Sequence, residues 1–347
     1  MVRWQTGWGN GNRLNRQTGR KRIVKLKKIK IEVEDTGLRL DQFLLQENPD
    51  YSRSYFSDLI KKGSVAVNNE ERKPSYRLKT GDTVEYKLTE KTSLGPIKPV
   101  NIPLNIIFED ENVLVVNKPA GLVVHPAVGH HNDTLVNALT HSYPQVSKAV
   151  YDDENELSVS RPGLVHRLDK DTSGVLIVAK NTKSMIFLAN QIQDRKAKKV
   201  YLALCAGWPP ISSGRLYNNL GRNLKNRKIY TEVGSEKGRE AISNYQVKKN
   251  HLTSKNERVS LIEFQIETGR THQIRTQAKM AGFPIIGDQA YSTKESEAVS
   301  NHLGVKRQML HASSLTILLP GAKIAQKFEV AVPSDFEQII ENLIAQN

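Results

Sequence analysis

Hydrophobic and polar positions divide the chain into a short and a long folded region. In residues 36–88, apolar residues spaced three and four apart predict two short helices, the second in SRSYFSDLIKKG, which Gly63 ends. Alternating positions in SVAVNN and TVEYKL then predict two strands, with turn residues between them. The order predicts a small α+β domain.

A longer region follows a proline-rich stretch. Residues 89–103, TEKTSLGPIKPVNIP, contain three prolines and little periodicity, so we predict a linker there. From residue 104 to residue 347, runs such as NVLVVNKP, GVLIVAK, KVYLALCAG and RVSLIEFQIE predict strands, while NDTLVNALTH and TKSMIFLANQIQDRK predict helices. Because regular βαβ spacing is absent, we expect an α+β domain with a mixed, largely antiparallel sheet flanked by helices.

Charge adds a strong bias to this picture. The chain has 51 Lys and Arg against 36 Asp and Glu, a formal net charge of +15. Residues 1–35 open with a polar, Gly/Asn-rich and basic sequence, which predicts a flexible basic arm. An excess of cations favours a polyanionic partner, either nucleic acid or an anionic membrane surface.

No segment approaches the length of a membrane span, roughly eighteen apolar residues, and the N-terminus lacks the apolar run of a secretory signal. The single cysteine, Cys205, lies in an apolar run and cannot form an internal disulfide. We therefore expect a cytoplasmic protein.

Basic residues crowd the surface predicted for the small domain. We expect them to bind RNA, although a merely solvated surface is the plain alternative. The residues are Arg53, Lys61, Lys62, Arg72 and Lys73, joined by Arg77 and Lys79.

The segment HRLDKDTSG, residues 166–174, places the carboxylates of Asp169 and Asp171 two positions apart. A calcium loop beginning at Asp169 would put Lys180 where a bidentate glutamate is needed. An aspartyl phosphotransfer site needs a buried strand before the first aspartate, whereas GVLIVAK follows it, so this site remains a weaker alternative. The third interpretation is a single reactive Asp169, with Arg167 on the same side of an extended segment.

Histidines offer little further chemistry. His125, His130 and His131 have, with Asp133, a spacing that can hold zinc, but the loop contains no cysteine and we assign no metal. We expect His166 and His272 to be structural. No glycine-rich phosphate loop is present either.

Two more segments accompany HRLDKDTSG in order along the chain: KKVYLAL, which contains Tyr201, and TGRTHQIR, which contains Arg270. Together, over residues 105–320, they resemble the RluA-type pseudouridine synthases. Residues 36–88 resemble the S-four RNA-binding domain often fused to them. The resemblance implies an isomerase that needs no cofactor and that detaches uracil from C1′ of its ribose, rotates it and rejoins it through C5.

The resemblance also implies roles for single residues. Asp169 would be the essential carboxylate, adding to C1′ or removing the 2′ proton, and Arg270 would pair with it and keep it ionised. Tyr201 would stack on the uracil and help to take the C5 proton, and Arg167 would help to displace the target base. Asp171 would support the turn.

The expected partner is large-subunit (23S) ribosomal RNA or a pre-ribosomal particle, and no membrane. Two other functions remain open on the residues alone. One is a non-catalytic, RNA-binding ribosome-assembly factor, and the other is an RNA uracil glycosylase, which would break the same first bond.

Overall fold

The computed structural model describes residues 24–48, 53–89, 97–127, 129–150, 161–223, 226 and 228–346. The chain divides into two compact units, residues 1–93 and residues 94–347. Residues 1–23 of the predicted basic arm lie outside the described residues.

The small unit is a four-stranded antiparallel sheet with two helices. Its strands pair in the order β1-β4-β2-β3. Phe43, Phe56, Val84 and Tyr86 are almost fully buried between helices and sheet. The elements are β1 (Val24–Lys30), α1 (Leu40–Gln46), α2 (Arg53–Lys61), β2 (Val65–Val67), β3 (Glu70–Glu71) and β4 (Thr83–Thr89).

Strand β1 lies inside the predicted arm, residues 1–35, so the arm ends earlier than expected. Its backbone pairs with all seven residues of β4, from Val24 opposite Thr89 to Lys30 opposite Thr83. Ile29 packs against the core of the unit. Lysines obscured this strand in the sequence, although alternation sends Lys28 and Lys30 to the exposed face, opposite Ile29.

The large unit contains one eleven-stranded sheet. Its elements are β5 (Ile106–Glu109), β6 (Val113–Lys118), α3 (Leu135–Ser142), β7 (Ser173–Ala179), α4 (Thr182–Gln193), β8 (Lys198–Ala206), β9 (Ser213–Arg222), β10 (Tyr230–Glu232), β11 (Arg239–Leu252), β12 (Arg258–Ile266), α5 (Gln273–Met280), α6 (Lys294–His302), β13 (Leu310–Ile317), β14 (Gln326–Glu329), α7 (Ser334–Glu341) and β15 (Ile344–Gln346).

The sheet runs in the order β10-β9-β11-β12-β8-β13-β7-β6-β5, with β14 beside β13 and β15 beside β11. Among the described strands, β7 and β13 pair in parallel and all other neighbours are antiparallel. The expected α+β class with a mixed, largely antiparallel sheet is confirmed. Strand β8 lies in the interior of the sheet, with β12 on one side and β13 on the other.

The predicted linker, residues 89–103, is shorter than expected at its C-terminal end. The backbone N–H of Val100 donates to the carbonyl of Asn137 in α3 at 3.0 Å. The Asn137 side-chain amide in turn donates to the carbonyl of Lys98 at 2.8 Å. Because these polar groups are paired with a buried helix, residues 97–103 form part of the large unit.

Within the described ranges, every helix is too short or too polar to cross a bilayer.

Candidate active site

The three sequence motifs meet at one cavity of the large unit. Asp169 lies in the loop before β7, Tyr201 lies on β8, and Arg270 lies in the turn after β12. All three line a cavity of about 520 Å³, as does Arg167, and the four also line an adjoining recess of about 60 Å³. The fold therefore brings together the residues that the motifs singled out.

A buried lysine holds the Asp169 loop in place. The Lys118 ammonium at the end of β6 is inaccessible to solvent and donates to the carbonyls of Pro119, Leu122 and Lys170 at 2.8, 2.9 and 2.9 Å. The N–H of Gly121 also donates to the Lys170 carbonyl. Three acceptors match the three donors of an ammonium, so Lys118 fixes the loop at Lys170, directly after Asp169.

The loop ends in a close approach between two backbones. Gly174 has a φ of +117°, and a Cβ built there would lie 2.1 Å from the carbonyl oxygen of Ala312 on β13. Only glycine fits this position, since a side chain would separate the parallel pair of β7 and β13. The glycine of HRLDKDTSG thus sets the distance between the Asp169 loop and the sheet.

The cation paired with Asp169 is Arg275, and the expected pairing with Arg270 is wrong. Nη1 of Arg275 donates to Oδ2 of Asp169 at 3.0 Å. Arg270 instead donates from Nε to the carbonyl of Glu240 at 2.8 Å while lining the cavity. Arg275 lies in the first turn of α5, which directs its side chain back towards the Asp169 loop.

Arg275 is itself anchored by a second carboxylate. Its Nε and Nη2 donate to the two oxygens of Asp288 at 2.6 and 2.8 Å, a bidentate pair in which Asp288 is 2% exposed. Burial alone would lower the pKa of Arg275, but its hydrogen bonds and the charges of Asp288 and Asp169 raise that pKa above the ordinary value. One fixed guanidinium therefore serves two carboxylates.

One oxygen of Asp169 remains free. Oδ2 accepts from Arg275, whereas Oδ1 accepts no hydrogen bond from the part of the chain that the structure describes. The side chain keeps 18% of its surface exposed and lines the cavity. The site thus presents an anchored carboxylate with one oxygen available for chemistry.

His272 faces the site, which the sequence had not suggested. It adopts a left-handed conformation, φ 56°, at the start of α5. Its Nδ1 lies 2.9 Å from the Tyr291 hydroxyl and its Nε2 lies 3.8 Å from Oδ2 of Asp169. Burial lowers the pKa of the imidazole despite the Asp169 charge, so His272 is neutral at pH 7.

Tyr201 forms part of the cavity wall from the middle of the sheet. It is 8% exposed and pairs across the strands with Phe264. Burial, with the negative charge of Asp169, raises the pKa of its hydroxyl above the ordinary value. At neutral pH the group is a phenol, so it can relay a proton but does not act as a phenolate.

Lys199 is a cavity residue that the sequence analysis passed over. It lies two positions before Tyr201 on the same side of β8 and is 5% exposed. Burial, reinforced by the charge of Arg270, lowers its pKa to about 8. The signal was present in KKVYLAL, where a lysine at i−2 from the tyrosine must share its face.

A buried glutamine shapes the turn that carries Arg270. Oε1 of Gln273 accepts from the N–H of Arg270 at 3.0 Å and from the Thr268 hydroxyl at 2.8 Å. Its Nε2 donates to the Ile242 carbonyl and to the Ser243 hydroxyl on β11, each at 2.9 Å. Every bond of this side chain holds the TGRTHQIR turn against the sheet.

Arg167 and His166 both line the cavity but differ in exposure and contacts. Arg167 is exposed at the cavity. His166 accepts from the N–H of Ile177 on β7 through Nε2 at 3.0 Å. Burial lowers the pKa of His166 to about 3, so it is a neutral structural acceptor, as predicted.

Several of the histidines and acids considered as metal ligands make other contacts. The described ranges contain no group of three His, Cys, Asp or Glu residues placed to hold an ion. Nδ1 of His130 lies 2.6 Å from Oδ2 of Asp133, while His125 lines the cavity. Oδ2 of Asp169 accepts from the Arg275 guanidinium, which places a cation directly beside this carboxylate.

The cations proposed to bind RNA lie on the small unit. Lys61, Lys62 and Lys73 are exposed. Arg72 lies 2.5 Å from Glu70 and 5.0 Å from the ring centre of Tyr76. Arg53 begins α2, and its side chain lies outside the described residues. Arg77 and Lys79 are exposed as well, so five of the seven cations are available to a partner.

Comparison with known proteins gives two family matches. Residues 112–280 match the sequence model described as RNA pseudouridylate synthase, and residues 38–84 match the S4 domain. The first match spans all three motifs of the cavity, and the second lies within the small unit.

Curated relatives match nearly the whole chain. A protein of Aquifex aeolicus named as an uncharacterized RNA pseudouridine synthase is 38% identical over 90% of this chain and 95% of its own length. The protein of Zymomonas mobilis named ribosomal large subunit pseudouridine synthase D is 36% identical, over 92% of this chain and 98% of its own length. The protein of the same name from Neisseria meningitidis serogroup B is 35% identical, over 91% of this chain and 81% of its own length.

A solved structure shares the fold. Human RNA pseudouridylate synthase domain containing 1 superposes with a TM-score of 0.53 at 25% identity, covering 70% of this chain and 89% of that one.

Proposed function

The chain belongs to the RNA pseudouridine synthase family and is an isomerase, and from this premise we propose that it converts specific uridines of large-subunit ribosomal RNA to pseudouridine through Asp169. Relatives named ribosomal large subunit pseudouridine synthase D support that substrate. The S4 match and the exposed lysines of the small unit support RNA binding. The reaction would then take place in the cytoplasm, where ribosomes are assembled.

The anchored carboxylate carries the catalytic assignment. Asp169 lines the cavity, Arg275 fixes its Oδ2, and its Oδ1 accepts no hydrogen bond from the described residues. Both candidate roles, attack on C1′ and removal of the 2′ proton, use a carboxylate oxygen held in place beside the substrate.

The other cavity residues then take complementary tasks. The Tyr201 ring offers the uracil a stacking surface, and its neutral hydroxyl passes the C5 proton in the last step. Arg167, exposed at the cavity, fills the space that the extruded base leaves. Arg270 is held by Gln273 and Glu240 and does not pair with Asp169, so it contacts the substrate.

Incubation with unmodified large-subunit rRNA, followed by pseudouridine mapping, tests the proposal. We expect defined new pseudouridines from the wild-type protein and none from Asp169→Asn, with RNA affinity within about threefold of wild type because the substitution removes no phosphate contact. Asp171→Asn is the matched control from the same loop and should retain activity.

Other outcomes would favour the other functions. Release of free uracil without pseudouridine would indicate a glycosylase. RNA binding without either product would indicate a non-catalytic assembly factor. An Asp169→Asn variant that isomerises at the wild-type rate would overturn the assignment of the carboxylate.

A further inference from the structure

One wall of the cavity carries buried nitrogen atoms without partners. Nε of Arg161 and Nδ1 of His125 are inaccessible to solvent and have no hydrogen-bond partner among the described residues. Both side chains line the cavity together with Arg167. Buried donors are nearly always satisfied in native proteins, so two orphans on one wall require an explanation.

Several other arginines near the cavity pair with acids. Arg195 pairs with Glu240, Arg215 lies 3.3 Å from Glu267, and Arg275 binds Asp169 and Asp288. Arg270 has no carboxylate partner in the described part of the chain, but its Nε donates to the carbonyl of Glu240. Arg161 and Arg167 also have no carboxylate partner among the described residues, and Nε of Arg161 has no acceptor at all. This wall therefore holds two guanidiniums side by side without a counter-ion among the described residues.

The cations on this wall also oppose one another. Burial and the charge of Arg167 lower the pKa of Arg161. Burial and the charges of both arginines lower the pKa of His125 to about 4, so its imidazole is neutral at pH 7 and carries one N–H donor. Two guanidiniums and a neutral donor without an anion form an arrangement that a bound oxyanion would stabilise.

We propose that His125 and Arg161, beside the positive charge of Arg167, form a subsite for a backbone phosphodiester of the RNA, next to the uridine presented to Asp169. This subsite rests on the proposed function, because it is placed relative to the target uridine. Arg161 and Asp169 line the same cavity, so a ribose that faces Asp169 brings a flanking phosphate to this wall. A guanidinium fork matches two phosphate oxygens, and a phosphodiester occurs beside every nucleotide whatever its base.

The first test measures the salt dependence of RNA affinity by fluorescence anisotropy, using a short oligoribonucleotide that contains a single uridine. One lost contact to single-stranded phosphate changes the slope of log K against log salt by about 0.7. We expect a change of this size in Arg161→Gln. The matched control is the double variant Arg195→Gln/Glu240→Gln, which removes a paired arginine of the same cavity with its acid and should keep the wild-type slope.

The second test replaces one phosphodiester at a time by a neutral methylphosphonate. We expect one linkage beside the uridine to lower wild-type affinity about tenfold, the size of a hydrogen bond to a charged group. The same replacement should cost Arg161→Gln little, because the two changes remove one interaction. The scan on wild-type protein requires no variant to fold.

An unchanged salt slope in a folded Arg161→Gln, or equal losses at every linkage in the wild-type scan, would overturn the subsite. Both measurements report binding without turnover. A failure of pseudouridine formation would therefore count against the proposed function, whereas the binding measurements would still decide whether the phosphate subsite exists.

Discussion

At the scale of single residues, Arg275 is shared between a buried acid and a reactive one. Asp288 has no exposed side-chain surface and takes two of the guanidinium hydrogen bonds, whereas Asp169 takes one. Removing one partner of a buried ion pair costs about 3–5 kcal/mol, because the charge left behind has lost both water and counter-ion.

Arg275→Met should therefore lower the free energy of unfolding by about 3–5 kcal/mol and abolish pseudouridine formation. Urea denaturation and RNA mapping measure the two effects. Arg270→Gln is the matched control from the same motif: it loses one hydrogen bond, worth about 1 kcal/mol, and should reduce activity while leaving the protein stable. A large loss of stability in Arg270→Gln but not in Arg275→Met would contradict the observed pairing.

Lys199 predicts a pH dependence of RNA binding. Because burial lowers its pKa to about 8, the amine is charged below that pH and neutral above it. Its contribution to RNA affinity should therefore be present at pH 7 and lost as the pH rises through 8.

Fluorescence anisotropy titrations of RNA at a series of pH values measure this contribution of Lys199 to RNA affinity. Lys199→Met should remove that part of the pH dependence, whereas Lys198→Met, which changes the exposed neighbour, should retain it. Equal curves for wild type and Lys199→Met would show that the amine does not contact RNA.

Sequence motifs identified most of the site but assigned its ion pair to the wrong arginine. Asp169, Tyr201 and Arg270 all reach the cavity, as the resemblance implied. The choice between Arg270 and Arg275 depends on where α5 begins, and that point is fixed by the left-handed backbone of His272. Spacing along a motif does not specify such a dihedral angle, since a non-glycine residue rarely adopts it.

At the scale of elements, the parallel contact between β7 and β13 depends on Gly174. Gly174→Ala should destabilise the protein by more than about 3 kcal/mol, because the new methyl would meet the Ala312 backbone and separate the strands. Gly282→Ala is a matched control: it has a similarly positive φ, +86°, but no atom within 4 Å of the new Cβ. That variant should show backbone strain alone, about 1–2 kcal/mol.

Thermal and urea unfolding compare the two alanine variants. Equal losses would indicate that φ, and not the approach of Ala312, limits position 174.

Patterning predicted most strands and missed β1 for a physical reason. Strands such as β7 are buried along their whole length, and the apolar run of β7 from Val175 to Ala179 stands out from its surroundings. In β1, four of the seven residues are lysines, so its composition resembles a disordered arm until pairing with β4 becomes visible. Long-range pairing decides this element, and a local window does not contain it.

At the scale of the whole molecule, the two units have separate hydrophobic cores. The buried cluster of the small unit runs from Ile31 to Leu88, and the clusters of the large unit begin at Val113. A unit with its own core folds independently in principle.

Deletion of residues 1–93 should therefore leave a large unit that unfolds cooperatively. Its RNA affinity should be weaker and less salt-dependent, since the exposed lysines of the small unit are gone, while single-turnover isomerisation of bound RNA should persist. Anisotropy and rapid-quench measurements separate the two effects. Full RNA affinity after the deletion would show that the small unit does not contribute to RNA binding.

The interior position of β8 has a consequence for how target choice can vary within this fold. A slip of one residue would turn Lys199 and Tyr201 to the opposite face, and it would break the pairing with both β12 and β13. Strand pairing on both sides therefore fixes the positions of Lys199 and Tyr201. It does not constrain the identity of the exposed residues around the cavity or of the small unit. Substitutions there can redirect the protein to a different uridine while the reaction itself stays the same.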